Sequence, residues 1–183
     1  DGSLKVWTEE GHDGIEEMSH RSSVTCLDWS VCGDLLATGC SGGESAVWRG
    51  NSKVASMEGH AVWINKIKFN GSGELVATAS DDWTCRVWQV ATGQMVKKVE
   101  CGSEVLSLVW RDKENIITGC RDGMIQVSSV NQEQAEASLK LEGHSSWVAS
   151  LAFQPANNLL ASDSWDRKVI LWKLDSIDHF STK

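Results

Sequence analysis

The chain has 183 residues, a formal charge of −8 at pH 7 and a pI near 5.1, long enough for one domain with a sizeable core. The acidic balance argues against nucleic acid as the main partner, because phosphate recognition needs a basic face, and no apolar run approaches the ~20 residues of a membrane span. One Pro, no Tyr and ten Trp make an unusual set, and such enrichment in Trp needs a repeated structural cause.

Taken in order, the segments give that cause. DGSLKVW opens the chain and ends at Trp7; VTCLDW closes on Trp29, and ATGCSGGESAVW on Trp48. INKIKF closes on Phe69 and ATASDDWTCRVW on Trp88; VLSLVW closes on Trp110 and ITGCRDGMIQVS on Ser128. VASLAF closes on Phe153 and ASDSWDRKVILW on Trp172. Trp7, Trp48, Trp88, Ser128 and Trp172 stand 41, 40, 40 and 44 residues apart. His20, His60 and His144 each lie nine residues before the aromatic that ends an alternating apolar run. Short β-rich runs separated by NGSG, ATGQ and PANN predict strands joined by tight turns. No helical periodicity of useful length interrupts them.

A period near forty, with Gly-His early and Trp late, marks radially repeated four-stranded blades. These residues resemble the WD-repeat β-propeller family. The resemblance implies an all-β fold, a propeller segment of four-stranded antiparallel blades with about four complete blades and a partial N-terminal one. The expected units are 1–20 (partial), 21–60, 61–101, 102–143 and 144–183. VTCLDWSVCGDLLATG also resembles transducin-β-like subunits, and NACHT and apoptosome-type receptors carry similar arrays. In the family a His, a Ser, an Asp and a Trp form a buried polar chain. By position this implies His60, Ser80, Asp82 and Trp88 in one blade, and His144, Ser164, Asp166 and Trp172 in the last. The dipeptide that names the family is missing, with Arg49, Gln89 and Lys173 after the three Trp. The unit ending at Trp48 keeps His20 but has Cys40 and Gly42 at the Ser and Asp positions; the unit ending at Ser128 keeps Asp122 and has Cys101 and Cys120. Both are expected to rest on backbone ladders and apolar packing. A usual ring of seven blades needs roughly 280 residues, so the remaining blades are expected from a longer chain or another subunit.

The six cysteines, at 26, 32, 40, 85, 101 and 120, form no CxxC pair. Their spacing predicts reduced thiols of an intracellular protein, cytoplasmic or nuclear, with no zinc site and no cofactor. H-E-x-x-H and P-loop patterns are absent, so no enzyme is expected. The turns between second and third strands and the loops into the inner strands share one rim in this family. Trp63, Asp81, Trp83, Glu104, Arg121, Trp147 and Trp165 fall there, and aromatic and Arg side chains are favoured at binding hot spots. The expected function is a non-catalytic scaffold docking a partner protein or peptide on that face. Arg21, Arg121 and Arg167 raise the alternative of a receptor for phosphorylated peptides. A hydrolase on a propeller scaffold would need His and carboxylates at the central channel, which the inner strands barely offer.

Overall fold

The structure is a computed structural model and describes residues 2–6, 16–131 and 139–174. Trp7, His12, His179 and the C-terminal SIDHFSTK, a candidate outer strand, lie outside the described residues. Two strands, β1 (Ser3–Val6) and β2 (Glu16–Ser19), pair antiparallel. Three four-stranded antiparallel sheets follow in chain order. The first holds β3 (Val24–Trp29), β4 (Leu36–Cys40), β5 (Ser45–Arg49) and β6 (Ser52–Met57). The second holds β7 (Ile64–Phe69), β8 (Leu75–Ser80), β9 (Thr84–Gln89) and β10 (Met95–Glu100). The third holds β11 (Val105–Trp110), β12 (Asn115–Cys120), β13 (Ile125–Ser129) and β14 (Leu139–Leu141). A last sheet holds β15 (Val148–Gln154), β16 (Leu159–Ser164) and β17 (Val169–Lys173), with one 3-10 turn at Pro155–Asn157. Among the described residues no helix is long and apolar enough to cross a membrane.

Each sheet is a meander, because every connection is too short for anything but the neighbouring antiparallel strand. The innermost strands stand side by side around the axis: β3 beside β7, β7 beside β11, β11 beside β15. Each opens with a register shift, at Val24/Cys26, Ile64/Lys66, Val105/Ser107 and Val148/Ser150. Such a bulge leaves a carbonyl outside its own ladder, and the preceding sheet supplies a donor. Thr25 Oγ1 donates to the Ile64 carbonyl at 2.5 Å, Asn65 Nδ2 to Val105 at 2.9 Å, and Ser107 Oγ to Val148 at 3.0 Å. One polar residue per unit therefore stitches each inner strand to the next.

The apolar core lies between sheets rather than inside any one. Ala37, Val47 and Met57 of the first pack on Ile67, Val76 and Trp88 of the second. Val87 and Val99 meet Leu108 and Ile116, and Ile117 and Val127 meet Val148 and Leu160. Met18 on β2 covers Leu36, Ala46 and Trp48 on one flank. The outward faces of the flanking sheets remain apolar, with Leu27 and Trp29 exposed on β3, and Val169 and Leu171 on β17.

Candidate functional site

The polar residues that recur once per unit run across each sheet towards one edge. In the second sheet, Trp88 Nε1 donates to Thr78 Oγ1 at 2.9 Å, Thr78 Oγ1 meets His60 Nε2 at 2.7 Å, and His60 Nδ1 meets Asp82 Oδ2 at 2.8 Å. In the last sheet, Trp172 Nε1 donates to Ser162 Oγ at 2.8 Å, Ser162 Oγ meets His144 Nε2 at 2.8 Å, and His144 Nδ1 meets Asp166 Oδ2 at 2.9 Å. The bridging hydroxyls are thus Thr78 and Ser162, two residues before the Ser80 and Ser164 that the resemblance implied. Ser80 and Ser164 lie on the same strand face, since side chains two apart point the same way. They bind the turn instead: Ser80 Oγ donates to the Trp63 carbonyl and accepts the Asp82 N–H, and Ser164 Oγ does the same with Ser146 and Asp166.

The two remaining units depart from this polar chain to different degrees. The first sheet keeps three members of the chain, because Trp48 Nε1 donates to Thr38 Oγ1 at 2.9 Å and Thr38 Oγ1 meets His20 Nε2 at 2.9 Å. Gly42 occupies the Asp position, and the nearest carboxylate to His20 Nδ1 is Glu44, 4.0 Å away. The third sheet has lost the chain: Cys101 Sγ lies 3.9 Å from Thr118 Oγ1, and Gln126 Nε2 donates to Ser128 Oγ at 3.2 Å where the Trp indole would reach.

The carboxylates in these chains are held ionised. Burial alone would raise Asp166, but hydrogen bonds from His144 and from the Ser145 and Lys168 amides outweigh it, bringing Asp166 to about 2. Asp82 is likewise lowered, burial being outweighed by Thr84 and His60, while burial lowers His60 despite Asp82 beside it. A lowered carboxylate stabilises the fold above its ordinary pKa and stops doing so as pH falls through its folded value. A lowered imidazole acts in the same direction, because the unfolded chain takes up the proton first. The melting temperature is therefore expected to fall on acidification below about 6.5 and more steeply between about 4 and about 2. Asp166→Asn should flatten the steeper limb. A profile level between pH 6 and pH 2 would contradict this.

The expected partner-facing residues gather at the edge where the Asp members lie. Trp165 stacks on Trp147 with ring centroids 4.4 Å apart and planes 21° apart. Arg121, from the neighbouring sheet, lies over the other ring of this pair, 4.3 Å from the Trp147 centroid, and Nη1 of Arg121 donates to Glu104 at 2.8 Å. Glu104, Arg121, Trp147 and Trp165 thus form one row across two sheets. Trp63 has no such partner in its own unit: the position matching Trp165 is Asp81, whose carboxylate accepts from Asn65 Nδ2 at 2.6 Å. Trp63, Trp83 and Trp165 are 47 %, 54 % and 66 % exposed. Trp83 also occupies left-handed backbone, φ 67°, at the turn position where Gly43 and Gly123 have φ 86° and 91°. An L side chain there costs on the order of 1–2 kcal/mol.

The family model described as "WD domain, G-beta repeat" matches residues 11–49, 51–89 and 136–173. The chain belongs to the WD-repeat family. The stretch between the second and third matched spans contains Cys101 and Ser128, the WD unit whose polar chain is lost. Among curated relatives, Protein ROOT INITIATION DEFECTIVE 3 of Arabidopsis thaliana is 27 % identical over 89 % of this chain and 42 % of its own length. F-box-like/WD repeat-containing protein TBL1X of Homo sapiens is 29 % identical over 83 % of this chain and 26 % of its own. The WD-repeat chain therefore spans less than half the length of these relatives. Of solved structures, the computationally designed Ika8 protein superposes with a TM-score of 0.79, at 27 % identity over 94 % of this chain and 53 % of that one. The designed Ika4 protein gives 0.76, at 26 % identity over 89 % and 98 %.

Reading the WD repeat from sequence missed Thr78, Thr38 and Ser162 as the hydroxyls that join His to Trp. A signal was available: each stands ten residues before its Trp, and Thr118 holds the same place before Ser128. The Trp147–Trp165 stack had no such signal, because the two rings come from different loops.

Proposed function

We propose that the chain is a non-catalytic protein-interaction scaffold that docks a partner segment on the edge carrying Trp63, Trp83, Trp147 and Trp165, with Asp81, Glu104 and Arg121 beside them. One observation carries this reading: Trp83 is exposed and held at a left-handed turn position that two sister units give to glycine. The left-handed backbone costs a tryptophan stability there, whereas an interface gains from it, since aromatic side chains bury a large area for little rotamer entropy. The ordered row of Glu104, Arg121, Trp147 and Trp165 adds a rigid platform, pre-organised before any partner arrives. Net charge −8 suits a partner segment of basic character, whose encounter weakens with salt. The phosphopeptide reading is less well supported, because Arg121 is already paired with Glu104 and stacked on Trp147.

The same proposal divides the chain into the units 1–20, 21–60, 61–101, 102–143 and 144–183. It draws further blades from the rest of a longer chain or another subunit, and sets the protein inside the cell, where six free thiols stay reduced.

Peptides selected from a displayed library for binding the parent chain provide the test. Trp165→Ala is expected to weaken them about 30-fold, the scale of an interface hot spot, with the melting temperature unchanged. Trp83→Gly should also weaken binding, and should leave the fold as stable as the parent or more so, because glycine accepts the left-handed backbone. Undiminished binding by both variants would refute the docking edge.

A further inference from the structure

A different group of side chains sits at the same edge of the first sheet and takes no part in the aromatic row. His20 precedes β3, Cys40 ends β4 and Glu44 lies in the turn before β5. One donor atom from each, an imidazole nitrogen, a sulfur and a carboxylate oxygen, all lie within 4.8 Å of one another. In two other sheets the His Nδ1 meets an Asp at 2.8 and 2.9 Å. Here Gly42 leaves that place without a side chain, and Glu44 Oε1 is 4.0 Å from His20 Nδ1. That gap is too long for a hydrogen bond. A tetrahedral ion bonded to both at about 2.0–2.2 Å would draw them together by about half an ångström.

The surroundings are already arranged for ligation. His20 Nε2 is occupied by Thr38 Oγ1 at 2.9 Å, which fixes the ring and turns Nδ1 to the gap. The Ser22 amide holds the Glu44 carboxylate at 2.8 Å. Outer hydrogen bonds of this kind orient metal ligands. A cleft of about 600 Å³ lined by His20, Gly42, Glu44, Lys53 and Glu58 opens beside His20 and Glu44, and Cys40 is fully buried. Lys53 opposes a cation, but its ammonium is drawn over the Trp48 ring, 4.9 Å from the centroid.

We propose that His20 Nδ1, Cys40 Sγ and the Glu44 carboxylate bind a divalent metal ion of the zinc class, with a water from the cleft as fourth ligand. The mixed nitrogen, sulfur and oxygen set excludes calcium and magnesium, which take oxygen ligands. Binding replaces the thiol proton of Cys40, which leaves to solvent. The ion would occupy the place of the absent Asp and tie the loop before β3 to the turn after β4. Cysteine spacing predicted no zinc because these ligands come from three separate segments, and no short motif records them.

The test is a titration of the metal-free full chain with Co²⁺ and then Zn²⁺. Equimolar Co²⁺ is expected to give thiolate-to-cobalt charge-transfer absorption with tetrahedral d–d bands, and Zn²⁺ should abolish both. Cys40→Ser installs the residue that Ser80 and Ser164 hold at the same place, so the fold should tolerate it. It should remove the charge-transfer band and weaken Zn²⁺ binding about 100-fold or more, and Glu44→Gln should keep the band and weaken binding about tenfold. No cobalt–thiolate absorption from the folded parent would overturn the proposal. Zinc binding undiminished in Cys40→Ser would also overturn it, placing the metal elsewhere.

Discussion

Replacing Thr78 with valine is expected to lower the stability of the chain by about 2–4 kcal/mol. The side chains match in shape, so the change isolates the hydroxyl. Thr78 is fully buried between two rings, accepting from Trp88 Nε1 and meeting His60 Nε2. Valine leaves both ring nitrogens without a partner where water cannot reach. Each orphaned polar group costs about 1–3 kcal/mol, more than the hydrogen bond contributed net. Ser80→Ala should cost less, about 1 kcal/mol, because its partners are the Trp63 carbonyl and the Asp82 amide at the edge of the sheet. Urea unfolding of both variants decides the matter. A larger loss for Ser80→Ala would make Ser80 the hydroxyl on which the chain depends.

Trp88→Ala should cost more, about 3–5 kcal/mol, the range for deleting a buried large aromatic. Trp88 is among the largest fully buried side chains and packs against Val47, Met57 and Ile67 across the interface between the first two sheets. Its loss opens a cavity in both sheets and strips the Thr78 hydroxyl of a donor. Trp88→Phe keeps much of the volume and removes the N–H, so it should fall between Trp88→Ala and the parent. The third sheet shows why the loss is a cost of removal and not of absence. Ser128 stands at the Trp position there and Cys101 at the His position, and Gln126 fills the buried space with its own hydrogen bond to Ser128. A unit built without the chain leaves no orphaned partner. Thermal melts showing Trp88→Ala within 1 kcal/mol of the parent would contradict the packing argument.

Much of this architecture was legible in the sequence because a four-stranded unit repeats its physical demands. Each needs an alternating inner strand, a polar turn and a large ring to fill the wedge between sheets, so Trp48, Trp88 and Trp172 recur on one beat. Residues sharing a face were harder to tell apart. Thr78 and Ser80 are both buried hydroxyls on β8, and only the reach of the Trp88 indole across to β8 selects Thr78. Identity at one position also concealed how a neighbour compensates. Gly42 suggested that the first unit had lost its chain, yet Thr38 keeps His20 and Trp48 joined, and Glu44 approaches from two residues further on. The exposed edge was legible as a set of residues and not as a geometry. Trp63 and Trp147 hold the same place in sequence, but only Trp147 finds a stacked ring, because Asp81 stands where the other unit has Trp165.

The placement of apolar clusters between successive sheets, and nowhere else, bears on how the chain folds. Each cluster joins residues about one repeat apart, as Val76 with Ala37 or Leu160 with Ile117. Loop-closure entropy therefore stays that of one forty-residue excursion however many units are added. Folding can start at any interface and spread by docking the next meander onto a face already formed. A sheet with neighbours on both faces gains from two interfaces, and the last sheet, with a described neighbour on one face, from one. The exposed Val169–Leu171 face, and the Leu27–Trp29 part of the face that Met18 only partly covers, are apolar surfaces left ready for such docking.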